Sequence, residues 1–156
     1  MRPIAILLFL LSVALAGCSS HTTPTLHVVS AGVTERTPDG LKLEFALDAE
    51  NPNDVPLTLR EARYSLSLDG KTVFTGSRAP TATLARRSTQ RLILPAVIPV
   101  QEAAQLTGDV EYRLRGSLVY ITPGELSERL FDARIRRPDA DFGERGIIEF
   151  GPNEQP

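Results

Sequence analysis

The chain has 156 residues, with 17 lysines and arginines against 19 aspartates and glutamates, 42% apolar residues, 6% aromatic residues and no tryptophan. This is the composition of one ordinary folded domain; it excludes a disordered tail, a coiled coil or a collagen-like chain, and a net charge of −2 lacks the concentrated positive field that nucleic-acid binding needs. A single cysteine excludes an internal disulfide and a thiolate metal cluster within one chain.

Met1-Arg2 supplies a short positive start, and the stretch from Ile4 to Ala16 carries no charge and one hydroxyl, Ser12. In a helix this stretch reaches about 20 Å, short of the ~30 Å hydrocarbon core of a bilayer, so it reads as the core of a signal peptide. Leu15-Ala16-Gly17-Cys18 resembles the lipobox of bacterial lipoproteins: a branched apolar residue, two small residues that fit a peptidase groove, then the cysteine that is lipidated. The resemblance implies that residues 1–17 are a lipoprotein signal peptide and that Cys18 carries acyl chains such as palmitate. It also implies attachment to the cell envelope, at the outer membrane facing the periplasm in a Gram-negative host, because Ser19 rather than aspartate follows the cysteine. A plain signal peptide with an incidental cysteine, or an uncleaved anchor, is the alternative. Residues 18–25 then form a polar tether without apolar period.

In chain order, Leu26 to Val33 is a first strand. Leu41 to Glu50 alternates most cleanly, with apolar residues at every odd position and charges at all even positions but Ala46, which describes a strand with one dry and one wet face. Tyr64, Leu66 and Leu68 interleave with Arg63, Ser65 and Ser67; Asp69-Gly70 supplies the positive-φ pair of a tight hairpin, and Val73-Phe74 begins the return. Gln90 to Ile98 is an apolar strand punctuated by Pro95 and Pro99. Because proline donates nothing to a ladder, it belongs at an edge or carries a bulge. Val110 to Tyr120 is a further long strand, Phe131, Ala133 and Ile135 repeat the period, and Ile147 to Phe150 is a short last strand. Val100 to Leu106 and Pro123 to Leu130 are the helical candidates, both too short to cover a sheet. Residues 137–156 read as a polar extension, loosely held from Arg137 to Arg145 and from Gly151 to Pro156. These features predict an all-β protein, an antiparallel β-sandwich of about seven strands.

Asn51-Pro52-Asn53-Asp54 ends the cleanest strand. Proline stops the pairing, Asn51 can close an Asx turn and Asn53 tolerates left-handed geometry, so this is a structural corner; a calcium site from Asp48, Glu50, Asn53 and Asp54 is disfavoured because alternation sends Asp48 and Glu50 outward. His21 and His27 lack an evident carboxylate or nucleophile partner, no nucleophile-elbow, zinc-protease or phosphate-loop motif occurs, and Asp139 with Asp141 are expected in a polar, solvated loop. Arg86-Arg87 and Arg136-Arg137 can meet phosphates or lipid headgroups, but with acids close by a solvated surface is the simpler reading. Pro95, Val97, Ile98 and Pro99 mark either a covered edge or one that accepts an extended partner segment.

Asn51-Pro52-Asn53 with Val55-Pro56-Leu57, the run Tyr64 to Gly70, Gly76, Leu84, Arg91 to Pro95 and Tyr112 to Leu118 together resemble the late embryogenesis abundant type 2 family, also called the water stress and hypersensitive response (WHy) domain, over residues 26–136. The resemblance implies an immunoglobulin-like or fibronectin type III-like sandwich, an association with desiccation and osmotic stress, and no catalytic residues, metal, cofactor or small-molecule substrate. The expected function is that of a non-catalytic, lipid-anchored envelope module that binds or stabilises proteins under stress. The alternative is a structural accessory subunit of an envelope transport or assembly complex. Its partners are then the membrane, through the anchor, and envelope proteins.

Overall fold

Alternation along the chain resolves into two antiparallel sheets in the computed structural model, which describes residues 21–151. The lipobox residues Leu15, Ala16, Gly17 and Cys18 lie outside the described residues. The strands are β1 (Thr25–Thr37), β2 (Gly40–Asn51), β3 (Leu57–Leu68), β4 (Lys71–Arg78), β5 (Thr83–Leu84), β6 (Ser88–Pro99), β7 (Gly108–Ile121) and β8 (Asp139–Phe150); α1 (Val100–Ala103) and α2 (Glu125–Asp132) are short helices. Seven strands are long, and β5 is a two-residue addition. The smaller sheet has the order β1-β2-β6 and the larger β4-β3-β7-β8, with β5 also on β3.

The dry faces meet in one core. Leu41, Leu43, Phe45 and Leu47 of β2 and Leu92, Leu94, Ala96 and Ile98 of β6 face Leu66 of β3, Leu114 and Leu118 of β7, and Phe150 of β8. Each of the leucine, isoleucine and phenylalanine side chains among them contributes about 1.5–3 kcal/mol by leaving water. The sandwich is closed at its sides, where β1 approaches β8 and β4 approaches β6.

Two expectations are corrected. Phe131, Ala133 and Ile135 do not form a strand. Phe131 lies in the last turn of α2, which ends at Asp132, and Arg134 takes a positive φ of 59° just beyond it, so the chain reverses there. Residues 137–145 are also not loosely held: from Asp139 the chain enters β8, which pairs with β7 over its whole length, from Val119↔Asp139 to Gly108↔Phe150. Asp139 and Asp141 therefore sit exposed on a strand.

A row of alternating glycines and aromatic residues crosses the larger sheet: Gly76 on β4, Tyr64 on β3, Gly116 on β7 and Phe142 on β8. A Cβ on Gly116 would lie 2.4 Å from the Arg63 carbonyl oxygen, 2.4 Å from the Phe142 ring and 2.8 Å from the Tyr64 Cβ. The first of these is backbone and cannot swing aside. Gly116→Ala should cost about 2 kcal/mol through overpacking. Gly32→Ala, where a Cβ meets nothing within 4 Å, should stay within about 0.5 kcal/mol of the parent. Urea midpoints compare the two.

Candidate functional site

Register, rather than sequence proximity, assembles the wet face of the larger sheet. Three rows run across β4, β3, β7 and β8: Ser77–Arg63–Ser117–Asp141, Thr75–Ser65–Arg115–Gly143 and Thr72–Ser67–Arg113–Arg145. Within these rows stand hydroxyls and guanidinium groups, and the exposed Ile147 follows on β8 opposite Glu111. A shallow, open groove of about 590 Å³ lies along these rows, lined by Arg63, Ser65, Thr75, Arg115, Ser117 and Asp141. Arg63 pairs with Glu61 at 2.6 Å, and the guanidinium holds the Glu61 carboxyl below the usual carboxylate range. Arg113, Arg115 and Arg145 make no ion pair among the described residues. Such a face can donate hydrogen bonds to carboxylates, phosphates, carbonyls or sugar hydroxyls. Interleaved serines and arginines were visible on both β3 and β7; that they stand side by side was not.

The corner predicted at Asn51-Pro52-Asn53 has a definite job. Asn51 is fully buried, and its Nδ2 donates to the carbonyls of Val55 (2.8 Å), Ala85 (3.0 Å) and Leu84 (3.3 Å). Its Oδ1 accepts from the Asn53 backbone N–H and from Asn53 Nδ2. Asn53 in turn forms a reciprocal pair with Thr22: the Thr22 N–H donates to Oδ1 and Asn53 Nδ2 donates to the Thr22 carbonyl, both at 2.8 Å. The corner thus ties the end of β2 to the β5–β6 connection and fixes where the N-terminal segment enters the fold. Of the residues weighed for calcium, Asp54 is held by Arg87 at 2.8 and 3.0 Å and Asp48 by Arg91 at 2.8 and 2.9 Å, and each hydrogen-bonded arginine lowers the carboxyl pKa. Among the described residues no group of metal-ligating side chains converges. His27 is exposed, with Asp48 as its register partner.

β6 is an edge strand without a bulge against β2, as its prolines predict. Backbone groups of alternate residues face alternate sides of a strand, and the Ile93 and Pro95 carbonyls point away from β2, accepting from Arg78 (3.2 Å) and the Tyr64 hydroxyl (2.5 Å). Pro95 and Pro99 on the same side have no N–H to offer. The free edge is therefore largely capped against an added strand. Side chains divide differently: Ile98 faces the core, while Val97, 58% exposed, and Ile93, 41% exposed, face water. Tyr64 is the cap's key group, and burial pushes its hydroxyl pKa up. Tyr64→Phe should lower stability by about 1 kcal/mol, read from urea unfolding. Because the folded pKa is raised, the Tyr64 contribution is present below pH ~10 and is lost as pH rises through the folded value, so the parent but not the variant should show this extra alkaline loss.

At the end of β7, four consecutive residues from Leu118 to Ile121 are buried, the core lying on one side and α2 on the other. The Phe131 ring of α2 lies between Arg60, 6.0 Å from its centroid, and Arg137, at 4.8 Å.

Residues 46–131 match the family model described as late embryogenesis abundant protein. A protein of Arabidopsis thaliana with a known solution structure is 14% identical, with a TM-score of 0.64 over 89% of each chain. A second solution structure, of a candidate late embryogenesis abundant (LEA) protein, is 18% identical with a TM-score of 0.64, over 95% of this chain and 80% of that one. A crystal structure from Archaeoglobus fulgidus is 12% identical with a TM-score of 0.53, over 81% and 98%. At these identities the likeness is one of fold. No curated protein matches the chain in sequence.

Proposed function

The chain belongs to the late embryogenesis abundant protein family, and from that premise we propose that it is a non-catalytic, lipid-anchored envelope protein of the WHy type that stabilises other proteins when water is withdrawn. The observation that carries this reading is the arginine and hydroxyl face of the larger sheet: eleven polar or charged side chains, Asp141 the one carboxylate among them, arrayed on a shallow surface suit many clients rather than one enclosed ligand. Removing water raises the cost of every unpaired polar group on a client, and pre-positioned donors that replace water lower it without ordering a flexible chain. Ile93 and Val97 add apolar contact beside the β6 edge through their side chains, and the capped backbone keeps that contact from growing into strand addition.

The test is protection of a client enzyme through drying and freeze–thaw by the domain from Ser19 onward. The domain should preserve more activity than an equal mass of albumin, and Arg113→Ser with Arg115→Ser should remove most of that advantage without lowering the unfolding midpoint. Protection no better than albumin would end the proposal.

A further inference from the structure

The two ends of the sandwich differ in charge. At the end where β1 begins, the connections 52–56, 79–82, 85–87 and 122–138 carry six arginines against four acids; at the other end, 38–39, 69–70 and 100–107 carry three acids and no base. Of the arginines at the first end, Arg87 is paired with Asp54 and Arg129 with Glu125, while Arg86, Arg134 and Arg136 make no ion pair among the described residues. The same end carries an apolar element. None of the residues of α2 is buried; Leu126 is 70% exposed, and Ile135 just beyond the helix is 73% exposed. α2 itself holds Glu125, Glu128 and Asp132 against Arg129, but Ile135 lies between Arg134 and Arg136, and apolar side chains with guanidinium groups beside them suit a bilayer interface, where the former enter the acyl boundary and the latter meet phosphates.

Chain geometry supplies the occupant. Thr22 is pinned to Asn53 at this end, and Cys18 is only four residues upstream, a span of at most about 14 Å. We infer that the α2 end rests on an anionic phospholipid surface, with Leu126 and Ile135 at the acyl boundary and Arg86, Arg134 and Arg136 on headgroup phosphates, so that the acidic end and the sheet faces point into solvent. This rests on the anchored reading of Cys18. It turns an end with six arginines against four acids toward the negative surface and the three acids of the other end away from it.

The absence of tryptophan from the chain gives a clean probe. The lipidated full chain carrying Leu126→Trp, or Ile147→Trp at the opposite end, where Ile147 is 68% exposed, is reconstituted into phosphatidylglycerol-containing vesicles with brominated acyl chains. Position 126 should shift to the blue and lose more than half its emission, as expected for burial ~5–10 Å into the interface, while position 147 stays unchanged. Arg134→Glu with Arg136→Glu in the Leu126→Trp chain should abolish the quenching while the chain stays with the vesicles. Equal behaviour of the two tryptophans, or an unquenched position 126 on an anchored chain, overturns the orientation and leaves the anchor standing. A chain that does not partition with vesicles overturns both, and a shift seen in native membranes but not in protein-free vesicles makes the occupant a protein and overturns the lipid assignment.

Discussion

Asn51→Ala is expected to destabilise the domain by about 4 kcal/mol, the largest single loss away from the central leucines. The side chain is fully buried, and its amide donates to three backbone carbonyls from two different connections. Alanine takes this donor from those carbonyls, of which Ala85 keeps the Ser88 hydroxyl at 2.8 Å, and leaves the Asn53 N–H without its acceptor, and each orphaned group costs about 1–3 kcal/mol. Asn51→Asp separates donor from acceptor roles: a carboxylate can still accept from Asn53 but donates nothing to Val55, Leu84 or Ala85, so it should be at least as damaging. Asn53→Ala should cost less, about 1 kcal/mol, because its pair with Thr22 is exposed. Urea denaturation followed by far-ultraviolet circular dichroism provides the ranking. Equal, small losses for all three would mean that the corner does not hold the fold.

Cys18→Ala should release the protein from membranes altogether. Each buried methylene of an acyl chain contributes about 0.8 kcal/mol; one chain binds only marginally, whereas two or three hold effectively without exchange. The interfacial contact proposed for α2 adds orientation and is far too weak to replace them. Palmitate labelling followed by fractionation should show label and membrane recovery in the parent and neither in the variant. An unlabelled parent that still fractionates with membranes would point instead to an uncleaved anchor formed by Ile4 to Ala16.

Both experiments depend on features that differ in how far they can be read from residues alone. Alternation in β2, the Asp69-Gly70 hairpin, the edge position implied by Pro95 and Pro99, and the Asn51 corner are local: the forces that set them act between residues a few positions apart, or between a strand and water. They are legible because a period of two permits one side of a strand to be dry. The first part of β8, missed ahead of the expected strand from Ile147 to Phe150, shows the opposite case. In β8 the alternation lapses from Gly143 to Gly146, and Gly146 carries no side chain because the Tyr112 ring of β7 occupies that space, with a Cβ approaching it to 2.7 Å. The apolar group that marks the position belongs to another strand, so the segment looks polar when read alone. Phe131, Ala133 and Ile135 mislead in the reverse direction. They have a strand's period, but both edges of β7, the strand they follow, are already taken, by β3 and β8.

What the sequence by itself determined is the class of the protein: an all-β chain with a proline-marked edge and an asparagine corner, since each follows from local chemistry. Only the tertiary structure decided which side chains share a surface. Register placed arginines and hydroxyls from four strands in common rows, strand direction gathered six arginines and the exposed leucine of α2 at the end where the N-terminal segment enters, and packing gave Tyr64 a carbonyl to cap. These are relations between residues far apart in the chain. Long-range pairing fixes them, and no window of neighbouring residues contains the information.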